Sequence, residues 1–65
     1  MIRVNGDPAP VDDGTTVTAL LAAIDAPPRG VAVAIDGEVV PRTAWPSTHV
    51  PDGARVEVLS AMQGG

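Results

Sequence analysis

The chain has no cysteine, no phenylalanine and no tyrosine, and only four lysine or arginine residues. Each shortage excludes something. Without cysteine there is no disulfide framework to staple a small fold and no thiolate zinc site. Without a basic cluster there is no electrostatic footprint for phosphate, and the net charge of −4 points away from a nucleic-acid partner. No apolar run approaches the roughly 20 residues that a membrane span needs. No charged-then-apolar signal segment opens the chain, so a cytoplasmic protein with no membrane partner is expected. With a single tryptophan as its one aromatic residue, the core must be aliphatic. At 65 residues the chain makes one domain, close to the lower size limit for folding without staples.

What the chain does have is an order of turns and apolar patterns. Ile2-Arg3-Val4 alternates, and Asn5-Gly6 is a strong hairpin signal. Asp7 to Val11 is expected to return as a weaker edge strand, restricted by Pro8 and Pro10. Asp12-Asp13-Gly14 makes a turn, and Thr15 or Thr16 can N-cap a helix. Val17, Leu20, Leu21 and Ile24 form its apolar stripe, and Pro27-Pro28 should stop it. Val31 to Ile35 is apolar on both faces, which suits a central strand buried under that helix. Asp36-Gly37 turns into Glu38-Val39-Val40, and residues 41–51 cross over irregularly with a short turn of helix. Arg55 to Leu59 closes with an alternating strand, Val56 and Val58 facing inward and Arg55 and Glu57 facing solvent. The expected class is α+β: a mixed sheet packed on one main helix, in the order of a β-grasp or ubiquitin-like domain. The domain is assigned to residues 1–59, and residues 60–65 to a flexible C-terminal tail.

A self-contained active site is hard to assemble. Ser47, His49 and Asp52 crowd into one loop without the glycines of a nucleophile elbow, so no catalytic residue is assigned. His49 is read as a loop residue making a hydrogen bond or facing solvent. One histidine and scattered carboxylates do not make a metal site. Asp12-Asp13 and Asp25 are read as charges at the two ends of a helix. Glycines 6, 14, 30, 37 and 53 punctuate turns and form no phosphate-binding cluster. Trp45, among Pro41, Pro46 and Pro51, is read as a plug over one end of the core.

The remaining candidate is the terminal carboxylate, carried on Gly64-Gly65. Glycines without Cβ atoms can thread a channel too narrow for side chains. The terminal carboxylate is ionised at neutral pH and is a poor acyl donor until activated. Attack on the α-phosphate of ATP would make it an acyl-adenylate, from which a sulfur nucleophile could displace AMP. Any nucleotide chemistry must then belong to a partner.

Ile2-Arg3-Val4-Asn5-Gly6-Asp7, Thr16 to Leu21, the stretch Gly30 to Arg42 followed by Trp45, and Asp52 to Leu59 followed by Ala61 to Gly65 together resemble the ThiS family of sulfur carriers. The resemblance spans essentially the whole chain. It implies a non-catalytic carrier of thiazole formation in thiamin biosynthesis, adenylated at Gly65 and converted there to a thiocarboxylate. Gly64 would be the slim residue that lets Gly65 enter partner active sites, with Gln63 and Met62 along the channel. The implied partners are a ThiF-type adenylyltransferase that uses ATP, a ThiG-type thiazole synthase, and a sulfur donor such as a cysteine desulfurase. No cofactor is expected on this chain. The sequence departs from the family pattern at Asp7, at Asp36-Gly37 and at Pro27-Pro28, none of them in the tail. A carrier of the same fold for molybdopterin or cysteine synthesis, a ubiquitin-like modifier joined to lysines, and a plain interaction module remain as alternatives.

Overall fold

Asn5 and Asp36 hold φ angles of 52° and 50°, and the glycines that follow them hold 88° and 85°. Two consecutive positive φ values are the signature of a type I′ turn, whose twist matches that of the strands it joins. One such turn links β1 (Arg3–Val4) to β2 (Asp7–Pro8), and the other links β3 (Val31–Ile35) to β4 (Glu38–Val40). A helix, α1 (Val17–Ala23), separates the hairpins, and a 3-10 turn (Arg42–Ser47) leads to β5 (Arg55–Ser60). This computed structural model describes residues 1–12, 14–27 and 29–60.

The sheet order is β2-β1-β5-β3-β4. β5 lies between the hairpins, parallel to β1 (Arg3↔Arg55, Val4↔Val56) and antiparallel to β3 (from Val31↔Ser60 to Ile35↔Val56). One helix across a mixed sheet of this order is the β-grasp architecture expected from the element sequence. Strand β5 runs through Ser60.

Helix α1 starts where Thr16 caps it: the Thr16 Oγ1 accepts the Ala19 N–H at 3.1 Å. The Val17 N–H, another donor without an intrahelical partner, goes to the Thr48 C=O at 3.0 Å. Val50 and Gly14 add two more backbone bonds, Val50 N–H to Thr15 C=O and Gly14 N–H to Val50 C=O. The crossover is thereby stitched to the helix entry.

The expected stop at Pro27-Pro28 is corrected by the structure. The helix ends at Ala23, with Ile24 as C-cap and Asp25 left-handed at φ 57°. The Asp25 N–H donates to Ala22 C=O and the Ala26 N–H to Leu21 C=O, the paired bonds of a Schellman motif. The left-handed residue has turned the chain away before proline can act.

Two strand expectations also change. The return strand covers Asp7–Pro8 and not Asp7 to Val11, because Pro8 and Pro10 each lack an N–H for a ladder. The Val11 N–H turns back on the Ala9 C=O at 2.9 Å. Strand β3 is covered on one face: Val33 is buried, Ala32 is exposed, and α1 lies on one side of the sheet alone. Its all-apolar run comes from small alanines on the uncovered side.

Ile2, Val17, Leu20, Leu21, Val33, Trp45, Val50, Ala54 and Val56 form the core. No polar or charged residue is buried among the described residues, so burial stabilises this fold without a desolvated polar group to offset. Trp45 closes one end as expected. Its Nε1–H reaches the Val40 C=O at 3.0 Å, and the Arg42 guanidinium lies 5.7 Å from the ring centroid.

Candidate functional site: the end of the last strand

The residues assigned to the tail, Met62, Gln63, Gly64 and Gly65, lie outside the described residues. The structure does show the root from which they continue. Ser60 is paired with Val31 at the far end of β5, in the middle of the sheet. At this end β5 has the β3 ladder on one side, while its pairing with β1 stops at Val56.

Two side chains reinforce that hold. Asp36 grips the start of β5: its Oδ1 accepts the Arg55 N–H at 2.9 Å, and its own N–H donates to the Arg55 C=O at 2.8 Å. Asn5 grips the later part. Its Oδ1 accepts the Val58 N–H at 2.9 Å and its Nδ2 donates to the Val58 C=O at 3.0 Å. Both are the first residue of an Asx-Gly turn, and both were legible in the sequence as turn residues only. Their reach to β5 is a tertiary fact.

Register decides which side chains surround the root. Val56 and Val58 face the helix, and Arg55 and Glu57 face out, as the alternation predicts. The same alternation puts Leu59 outside at 66% exposure, paired with the exposed Ala32. Val39 of β4, 71% exposed, sits on this face opposite Ala34. The uncovered face therefore carries two large apolar side chains, Leu59 next to Ser60 on β5 and Val39 on the edge strand β4. That patch was missed in the sequence, although counting on from Arg55 and Glu57 to Leu59 would have found it.

The other candidate groups are engaged elsewhere. Ser47 Oγ donates to the Ala44 C=O at 3.2 Å, His49 Nδ1 lies 2.7 Å from the Gly14 C=O, and Asp52 pairs with the Met1 ammonium. Since a carbonyl only accepts, His49 carries a proton on Nδ1. This is the loop hydrogen bond, one of the two readings expected of it. No set of three His, Cys, Asp or Glu among the described residues could hold a metal ion. Asp12 accepts the Thr15 N–H through its backbone carbonyl in the turn before α1, and Asp25 ends the helix. The two lie at opposite ends of α1 and form no carboxylate pair. Asp13 lies outside the described residues.

This domain matches one family over nearly its whole length. The ThiS family model aligns with residues 2–65. The chain belongs to the ThiS family. It is 35% identical over 65 residues to the sulfur carrier protein ThiS of Thermus thermophilus, covering 100% of both chains. It is 36% identical over 52 residues to the sulfur carrier protein ThiS of Escherichia coli, covering 80% of this chain and 79% of that one. Among solved structures, the crystal structure of the thiamine biosynthesis protein ThiS from Geobacter metallireducens superposes with a TM-score of 0.80. The two are 43% identical, covering 98% of this chain and 97% of that one. A solution structure from the same organism gives 0.75 at 42% identity, covering 98% and 86%. Both ThiS folds are the mixed sheet and single helix described above. No helix among the described residues is long and apolar enough to cross a membrane.

Proposed function

We propose that this chain is a sulfur carrier of thiamin biosynthesis that works through its terminal carboxylate. The observation that carries this reading is the match to the ThiS family through Gly65, joined to a described β5 that runs to Ser60, five residues before Gly65 in the sequence. Five extended residues span at most about 18 Å. That is enough to carry a carboxylate into a neighbouring active site, and too little for the domain itself to follow.

The chemistry runs in two stages, both on a partner. A carboxylate oxygen of Gly65 attacks the α-phosphate of ATP, forming the acyl-adenylate and releasing pyrophosphate. A persulfide on the donor then attacks the acyl carbon and AMP leaves, forming an acyl disulfide. A second thiol cleaves its S–S bond, leaving the thiocarboxylate on Gly65 and a disulfide on the thiol side, whereas hydrosulfide would give the thiocarboxylate directly. The thiocarboxylate sulfur is the group delivered to the thiazole synthase. The chain acts as co-substrate without catalysis of its own and binds no cofactor; a ThiF-type adenylyltransferase holds the ATP. A ThiG-type synthase is the acceptor, and a donor such as a cysteine desulfurase supplies the sulfur. Gly64, Gln63 and Met62 line the partner channel, with Gly64 passing where a Cβ would clash. The adenylyltransferase must come within the tail's reach of Ser60. The uncovered face carries Leu59 directly before Ser60 on β5, and we assign that face as this enzyme's docking surface.

Intact mass spectrometry after incubation with the activating enzyme, ATP and a sulfur source tests the reading. The expected result is a gain equal to the replacement of one oxygen by sulfur, localised to Gly65. Deletion of Gly65 should abolish the gain and leave the unfolding transition of the domain unchanged. An unchanged mass beside an enzyme active on another carrier would overturn the reading, as would a stable conjugate to lysine.

A further inference from the structure

The parallel pairing of β1 with β5 runs out at Val4↔Val56, because the chain turns away at Asn5-Gly6. Strand β5 continues to Ser60. On this flank the next backbone groups, the N–H and C=O of Val58, have no strand beside them. The Asn5 carboxamide takes the place of the missing rung. Its Oδ1 accepts the Val58 N–H at 2.9 Å, its Nδ2 donates to the Val58 C=O at 3.0 Å, and its backbone N–H donates to the Val56 C=O at 2.8 Å.

A carboxamide can do this because it repeats the donor and acceptor of a peptide group. Aspartate at position 5 would keep the acceptor and set a carboxylate oxygen against the Val58 carbonyl. Alanine would lack both groups. Asparagine also tolerates the φ of 52° that the turn demands. Position 5 thus serves two ends at once: the hairpin turn, and the last hold on β5 from this side, two residues before Ser60.

We propose that Asn5 is a positioning residue for delivery of the terminal carboxylate. It fixes the direction in which the chain leaves the sheet, and so the fraction of encounters in which Gly65 reaches the adenylyl-transfer site of an ATP-dependent activating enzyme. The proposal rests on the carrier reading given above. Asp36, which holds Arg55 at the opposite end of β5, supplies the control, since it anchors the strand far from the exit.

Kinetics of adenylation decide the matter, with wild type, Asn5→Gly and Asp36→Gly compared in a pyrophosphate-exchange assay alongside amide hydrogen exchange. Glycine keeps the positive φ of each turn, so both variants remove a side-chain clamp without straining the hairpin. For Asn5→Gly, Val58 amide exchange should accelerate at least about tenfold, consistent with loss of its acceptor. The KM for the carrier should rise about tenfold with kcat within about twofold of wild type, the pattern of lost productive binding. Asp36→Gly should leave KM within about twofold. Faster Val58 exchange with an unmoved KM would overturn the proposal, and so would an equal KM rise in Asp36→Gly. If Asn5→Gly does not fold at the assay temperature, Asn5→Asp, which keeps the acceptor for the Val58 N–H and loses the donor to its C=O, is read by the KM criterion alone. Failure of the wild type to be adenylated overturns the carrier reading and the proposal with it; adenylation with an unmoved KM overturns positioning alone.

Discussion

Asp25 shows how much one residue can carry against its own preference. It ends α1 in the left-handed conformation at φ 57°, where glycine is the usual occupant, and it places a carboxylate at the negative end of the helix dipole. Both features cost stability. Asp25→Gly should relieve them and keep both Schellman hydrogen bonds, while the more flexible unfolded chain offsets part of the gain. A net stabilisation of about 0.5–1 kcal/mol is expected, read as a higher urea midpoint with an unchanged slope. An unchanged or lower midpoint would mean that the aspartate side chain has a compensating contact. At this scale some residues were legible and others were not. Thr16 was readable as an N-cap because a cap acts on residues three positions away. Asn5 and Asp36 were readable as turn residues for the same local reason. Their grip on Val58 and Arg55 was hidden, because it spans 53 and 19 residues of sequence.

At the scale of the element, β5 unites fold and function. Its inner residues Val56 and Val58 pack toward α1, and its outer residues Arg55, Glu57 and Leu59 face away. Leu59 contributes little to the core at 66% exposure, so Leu59→Ser should change stability by no more than about 0.5 kcal/mol. If the uncovered face docks the activating enzyme, the same substitution should lower kcat/KM for adenylation at least about tenfold, the cost of losing an interface anchor. Thermal unfolding and pyrophosphate exchange on one preparation separate the two effects. A wild-type kcat/KM would remove Leu59 from the interface. The elements themselves were largely legible: helix, both hairpins and the last strand fall where the apolar periodicity and the Asx-Gly turns put them. The return strand was overextended because alternation continues past Pro8 while hydrogen bonding cannot. The helix was read on to Pro27-Pro28, past its end at Ala23, because Ile24 fits the stripe and yet serves as the cap.

For the molecule as a whole, the radius of gyration is 10.8 Å. A compact domain of this length is expected near 10.7 Å, so the fold is as dense as its size allows, roughly. One aliphatic cluster spans helix, sheet and crossover, and Trp45 sits at its edge with its indole N–H bonded to Val40. A single core of this kind should unfold in one step. Fluorescence of the lone tryptophan and far-UV circular dichroism are expected to give coincident urea transitions. A fluorescence midpoint below that of the dichroism would show that the 3-10 turn carrying Trp45 detaches before the sheet.

The sequence by itself determined the local structure of this protein and its family. Turns, caps and strand alternation depend on neighbours a few residues away, and the family match follows from side-chain types in order. The tertiary structure decided what lies beside what. It put the last strand in the centre of the sheet, left one sheet face bare around Leu59 and Val39, and brought Asn5 against the backbone of Val58. Such contacts join residues far apart in the chain. They are set by which packing buries the most apolar surface with every backbone group paired, and no window of sequence contains that choice.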